Sequence, residues 1–287
     1  KRSILRPMLS LSGWDLLGHL GYTIRLYGTN MLLNIFFGPA VNAASGIATV
    51  VQSAISGFSA NVITAVRPSI IKSYATNDIR RFDTLLTNTS YFTLLIMMVI
   101  TGPVLLNLSL IMTTWLATVP KYCIDFTFLC LLSNCISAYA SILYIGIHST
   151  GKLMTSSLFR NILYVFSIAI LYLLLKLGYP PQTAYALLLV TQLLVGIVDS
   201  MLLHSYIKSF NLKPILKNLL VATLAFIISF IVGLKIKNGV SSIADFFLSS
   251  ISFVIIFFFI IWTLGMSSQQ RLLIKVTINK YVKRVKA

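Results

Sequence analysis

The stretch AVNAASGIATVVQSAISGFSANVITAV, residues 40–66, followed by RPSIIKSYATNDIRR, residues 67–81, decides the fold class. The first part carries no charged side chain and is long enough to cross about 30 Å of hydrocarbon as a helix. The second part concentrates Arg67, Lys72, Arg80 and Arg81 directly behind it, as short cytoplasmic loops do, because Lys and Arg resist translocation. The same alternation recurs outward in both directions. Seven further apolar stretches cover 9–35, 91–112, 123–147, 153–175, 183–204, 218–234 and 246–265. Together they predict an all-α integral membrane protein with about eight transmembrane helices.

Sorting the basic residues by gap predicts the orientation. Of 23 Lys and Arg, 17 fall in one alternate set of gaps, four (Lys121, Lys176, Lys235 and Lys237) in the other, and Arg25 and Arg160 lie inside apolar stretches. Both ends are therefore expected on the cytoplasmic side. A soluble nucleic-acid-binding domain would not separate its charge by alternate loops, so the net charge of +17 reads as topology plus attraction to anionic membrane lipid, with no nucleic-acid partner. The first residue is Lys1 rather than Met, which suggests a piece of a longer protein.

The spans differ in character. At 100° per residue, Asp15, His19, Tyr22, Thr23, Arg25, Thr29 and Asn30 share about half the circumference of the first, while Leu16, Leu17, Leu20, Ile24 and Leu32 share the other. The second carries a milder polar stripe, Ser45, Thr49, Gln52, Ser56 and Ser59, together with Ala40, Ala44 and Ala48 at a spacing that admits a close neighbouring helix. These two spans are expected to wall a hydrated cavity. The last two are nearly pure Leu, Ile, Phe and Val and are expected to face lipid.

Arg25 lies near the middle of its span, where a cation costs about 3 kcal/mol on insertion scales unless something meets it. Two readings stand: a structural ion pair with an acid elsewhere, or a cation lining a cavity that receives an anionic group. Asp15 reads as a cap or interface residue, Arg160 and Asp199 as snorkelling or paired groups, and His19 as either a titrating or a merely hydrogen-bonded group. Cys123, Cys130 and Cys135 lack metal-ligand spacing and read as buried thiols. With no Glu, six scattered Asp and no phosphate-cradling Gly-rich loop, the sequence argues against an enzyme and calls for no cofactor and no metal.

The run FGPAVNAASGIATVVQSAISGFSANVITAVRPSIIKSYATNDIRRF from Phe37 closely resembles the eighth helix and following cytoplasmic loop of bacterial polysaccharide-unit flippases. These are the Wzx-like O-antigen and capsule members of the multidrug/oligosaccharidyl-lipid/polysaccharide exporter superfamily. WLATVPKYCIDF from Trp115, STGKL from Ser149 and LKLGYPPQTAY from Leu175 are similar to family blocks at matching topological places. The resemblance covers roughly residues 10–210, and implies two six-helix lobes around a central cavity in a MATE-like arrangement. It makes residues 1–210 the second lobe, 211–265 two additional transmembrane helices, and 266–287 a basic cytoplasmic tail. The implied activity is alternating-access transfer of a polyprenyl-diphosphate-linked oligosaccharide across the bacterial inner membrane, for surface polysaccharide (lipopolysaccharide O-antigen or capsule) assembly, with a polysaccharide polymerase as a further partner.

On this mapping Tyr22, Arg25, Asn30, Gln52 and Ser56 line the substrate cavity, and Arg67 and Lys72 are a candidate gate or headgroup contact. The blander reading of the same loop is a helix stopped near Pro68 and anchored by its charge. Gly102 and Pro103 predict a kink in the third span. In the tail, Ile274, Ile278, Tyr281 and Val285 share one side of an expected surface-lying helix. The rivals are a cation-coupled multidrug or toxin antiporter of the same superfamily and a non-transporting membrane protein of cell-envelope assembly.

Overall fold

The computed structural model describes residues 2–208, 210–237, 243–267 and 270–272. It is all-helical over these residues and divides into two compact units, one of residues 1–101 with 108–212, the other of residues 102–107 with the chain from Lys213 onward. The first unit contains α1 (Arg2–Phe37), α2 (Pro39–Ala75), most of α3 (Ile79–Leu106), α4 (Leu108–Trp115), α5 (Cys123–Thr150), α6 (Leu153–Lys176) and α7 (Thr183–Tyr206). The second holds α8 (Leu212–Ile236) and α9 (Ile243–Ile260), which widens into a π turn over Ile261–Gly265. The expected tail helix around Ile274, Ile278, Tyr281 and Val285 lies outside the described residues.

Seven of the helices, α2, α3 and α5–α9, are long and apolar enough to cross a membrane, which makes this a multi-pass membrane protein. Eight were expected. The missing one is α1, which at 36 residues falls short in apolarity rather than length, because its inward stripe of Asp, His, Arg, Thr and Asn lowers its average. The exposed surface has the inversion that a lipid solvent requires. On α6, Phe159, Ile162, Phe166 and Leu173 are exposed while Ser156, Ser157 and Ser167 are buried. On α8 and α9 the outward residues are Leu220, Leu224, Ile228, Ile231, Ile255 and Phe259.

Helix ends follow local chemistry, and they correct one expectation. The helix does not stop near Pro68: α2 runs through it to Ala75, and the stop is the sequence SYATND. Asn77 is left-handed (φ 59°), its N–H donates to the Tyr74 carbonyl and that of Asp78 to the Ser73 carbonyl. This double closure is the Schellman arrangement, which Asn tolerates. Asp78 then starts α3 by accepting from the Arg81 N–H at 3.1 Å. Arg67 and Lys72 therefore sit exposed on the last turns of a helix, not in a loop. Further along, α3 continues through Gly102 and Pro103 and is interrupted at Asn107. In the second unit the Asn107 amide donates to the Pro103 carbonyl at 3.2 Å and to the Ser249 hydroxyl at 3.1 Å, and Phe253 packs where a Gly102 side chain would be.

Within the first unit α5 is central, touching α2, α4, α6 and α7, while α1 runs along α6 and α2. A single residue, Gly38 (φ 82°), joins α1 to α2, a backbone conformation that favours glycine. The α1–α6 seam depends on small residues. A Cβ at Gly21 would lie 2.9 Å from the Asn161 Cα, and one at Gly28 would lie 3.0 Å from Ile168 Cδ1, so the two backbones are in near contact. Gly21→Val is expected to destabilise by about 1–3 kcal/mol through overpacking. A fall in the thermal midpoint of the detergent-purified protein checks it, with Gly46→Ala, which meets nothing within 4 Å, expected to leave the midpoint in place.

Candidate functional site

Three adjoining cavities in the first unit collect the polar side chains of α1, α2, α5, α6 and α7. The first, about 60 Å³, is lined by Tyr22, Arg25, Asn30, Gln52, Tyr185 and Gln192 among others. A second, about 210 Å³, contains His19, Tyr22, Tyr144, Arg160, Tyr164 and Gln192. The third, about 420 Å³, lies between α2 and α5 and includes Gln52, Ser53, Ser56, Ser59, Asn134 and Ser137. Tyr22 and Ser137 border all three.

Arg25 is 8% exposed and lies over the rings of Tyr22 and Tyr164, 5.5 and 5.4 Å from their centroids. Its Nε is buried without a hydrogen-bond partner. Among the described residues no carboxylate pairs with it. Two ring faces contribute about 2 kcal/mol each when desolvated, and they offer no acceptor in the plane of the guanidinium. Arg25 thus borders the first cavity as a buried cation with no ion-pair partner among the described residues.

The surrounding side chains are held in place by bonds between helices. Ser45 on α2 donates to Asn30 Oδ1 on α1 at 2.9 Å and shares a 2.8 Å bond with the Tyr185 hydroxyl on α7. The Cys130 thiol on α5 donates to Gln52 Oε1 at 2.9 Å, and Phe126 stacks on Tyr185 at 4.7 Å. Gln192, also 8% exposed, has an unpartnered Oε1 between the first two cavities.

Arg160 is the opposite case. Its Nη2 binds Asp199 Oδ2, its Nε donates to Oδ1 at 3.2 Å, and Ser156 donates to the same Oδ1 at 3.0 Å. The guanidinium also lies 4.0 Å above the Tyr144 ring, and the Tyr144 hydroxyl donates to Asp15 Oδ1 at 3.1 Å. Asp15 is therefore an interface residue, and Arg160 and Asp199 are each other's partners. His19 lines the second cavity and is exposed.

Tyr22, Arg25, Asn30 and Gln52 thus meet at the first cavity, and Ser56 stands in the third. Arg67 and Lys72 line none of the three. Sequence reading passed over Asn134, Ser137 and Ser141 on α5, although their i, i+3, i+7 spacing puts them on one face. It also passed over Tyr164, Tyr185 and Gln192, single polar groups in apolar spans with no periodic signal of their own. Cys123, Cys130 and Cys135 are free and buried. No protein-family model, curated protein or solved structure matches this chain.

Proposed function

We propose that this chain is the second lobe, with two additional helices, of a flippase that moves a polyprenyl-diphosphate-linked oligosaccharide across the bacterial inner membrane by alternating access. Both described ends would lie on the cytoplasmic side, with the polar α1 crossing as an eighth span, as the alternate-gap charge favours. The observation that carries the reading is Arg25: a buried cation with an unpartnered Nε, no carboxylate paired with it among the described residues, and a polar cavity beside it. A lipid diphosphate brings negative charge that must pass hydrocarbon, and a cation already desolvated among protein groups lowers that barrier without the side chain having to reorganise. The block resemblances from Phe37 to Tyr185 point to the same substrate class. The long lipid-facing surfaces of α6, α8 and α9 suit a transporter whose cargo keeps its tail in the bilayer.

Complementation tests the proposal. The complete gene product, expressed in a strain that lacks its sugar-unit flippase and makes the matching glycan, is expected to restore surface polysaccharide. Failure to restore it, with the protein present in the inner membrane, removes the transport reading and returns the chain to the antiporter or scaffold class.

A further inference from the structure

The third cavity differs in chemistry from the first, and the difference lies in the direction of its hydrogen bonds. Ser53, Ser56 and Ser59 of α2 donate their hydroxyl hydrogens to the carbonyls of Thr49, Ser53 and Ser56, and Ser141 of α5 donates to Ser137. Each hydroxyl has one hydrogen, so what these residues present to the cavity is lone pairs. Asn134 adds the complementary group. It is 5% exposed and its Nδ2 is buried without a partner. No charged side chain lines this cavity, and Tyr22, Gln52 and Ser137 border both it and the cavity that Arg25 lines.

The donors available here, on Asn134, Gln52 and Ser137, are all uncharged and no cation stands among them, which suits a polyol, with its many O–H donors and acceptors, better than an anion. We infer that the α2–α5 cavity is a subsite for an uncharged sugar, the one attached to the anionic group that Arg25 receives, with Asn134 as its principal donor and the serine row as its acceptors. Tyr22 stands between the two subsites, where its ring can cover a sugar's C–H face while its other neighbour is the guanidinium. The pair of subsites therefore sorts substrates: neutral first sugars are accepted, and the carboxylate of a hexuronic or other acidic first sugar meets the serine lone pairs with no cation to compensate it. This inference rests on the flippase reading above.

Equilibrium binding to the full-length protein in lipid nanodiscs tests it, with three short-chain probes: a polyprenyl diphosphate without sugar, the same lipid carrying a neutral disaccharide, and the same carrying a hexuronic acid next to the phosphate. The neutral-sugar lipid is expected to bind about tenfold more tightly than the sugar-free one, the gain of a few well-made hydrogen bonds, and the uronic-acid lipid no more tightly. Asn134→Leu should remove most of that gain while leaving the sugar-free affinity unchanged, which also reports that the variant is folded. Ser56→Val, at a half-buried position, should remove part of it. Equal affinity of the sugar-free and neutral-sugar lipids, or equal affinity of the neutral and acidic ones, overturns the subsite and leaves the flippase reading standing. Binding of none of the three probes overturns the flippase reading itself.

Discussion

Arg25→Gln is expected to abolish restoration of surface polysaccharide while leaving the protein about as stable as the wild type. The two halves of this result have one cause. Since no carboxylate among the described residues pairs with Arg25, its removal strands no buried charge, and relief of the roughly 3 kcal/mol cost of a mid-span cation offsets the loss of two ring contacts. The thermal midpoint should move by only a few degrees, and the amount in the membrane should be unchanged. Transport has no such compensation, because the cation beside the first cavity is gone. Glutamine keeps an amide donor on a shorter side chain but not the charge, so loss of transport in this variant follows from removing the guanidinium. Normal surface polysaccharide with Arg25→Gln would detach Arg25 from the transport path. A collapse in its stability would return Arg25 to a structural role.

Asp199→Asn should behave in the reverse sense, costing stability first. Asp199 is fully buried and holds both the Arg160 guanidinium and the Ser156 hydroxyl. Removing one member of a buried pair leaves the other uncompensated, typically at 3–5 kcal/mol, so the purified protein should lose much of its thermal midpoint and its yield in the membrane should drop. Replacing both residues with apolar ones, as in Arg160→Met with Asp199→Leu, should recover most of the loss, because well-packed hydrophobic substitutes often match a buried ion pair. A single variant that melts with the wild type, or a double variant worse than the single, would show that the α6–α7 contact does not depend on this pair. The contrast between the two arginines is informative in itself: the same residue type at similar burial is expected to give opposite phenotypes because one is paired and the other is not.

Much of the architecture is legible along the chain because hydropathy is local. The apolar runs of α2, α5, α6, α7, α8 and α9 lie within helices close to their expected bounds. The expected polar row of α2 (Ser45, Thr49, Gln52, Ser56) does line the cavities or bond across them. Proline alone did not stop the second span: at Pro68 the helix tolerates one lost hydrogen bond, and termination waits for a residue able to close the end, Asn77.

By itself the sequence determined which segments are helical and apolar, which face of each is polar, and how charge alternates along the chain. These depend on composition and on a period of 3.6 residues, both properties of a single segment. Only the tertiary structure decided which faces oppose one another. It set Asp199 against Arg160 from 39 residues away, left Arg25 between two tyrosines with no acid paired to it among the described residues, and laid the row of Asn134 and Ser137 opposite the serines of α2. Helical spacing orients a side chain about its own axis, but its partner is chosen by close packing between helices, here set by contacts such as Gly21 on Asn161, and no single segment carries that information.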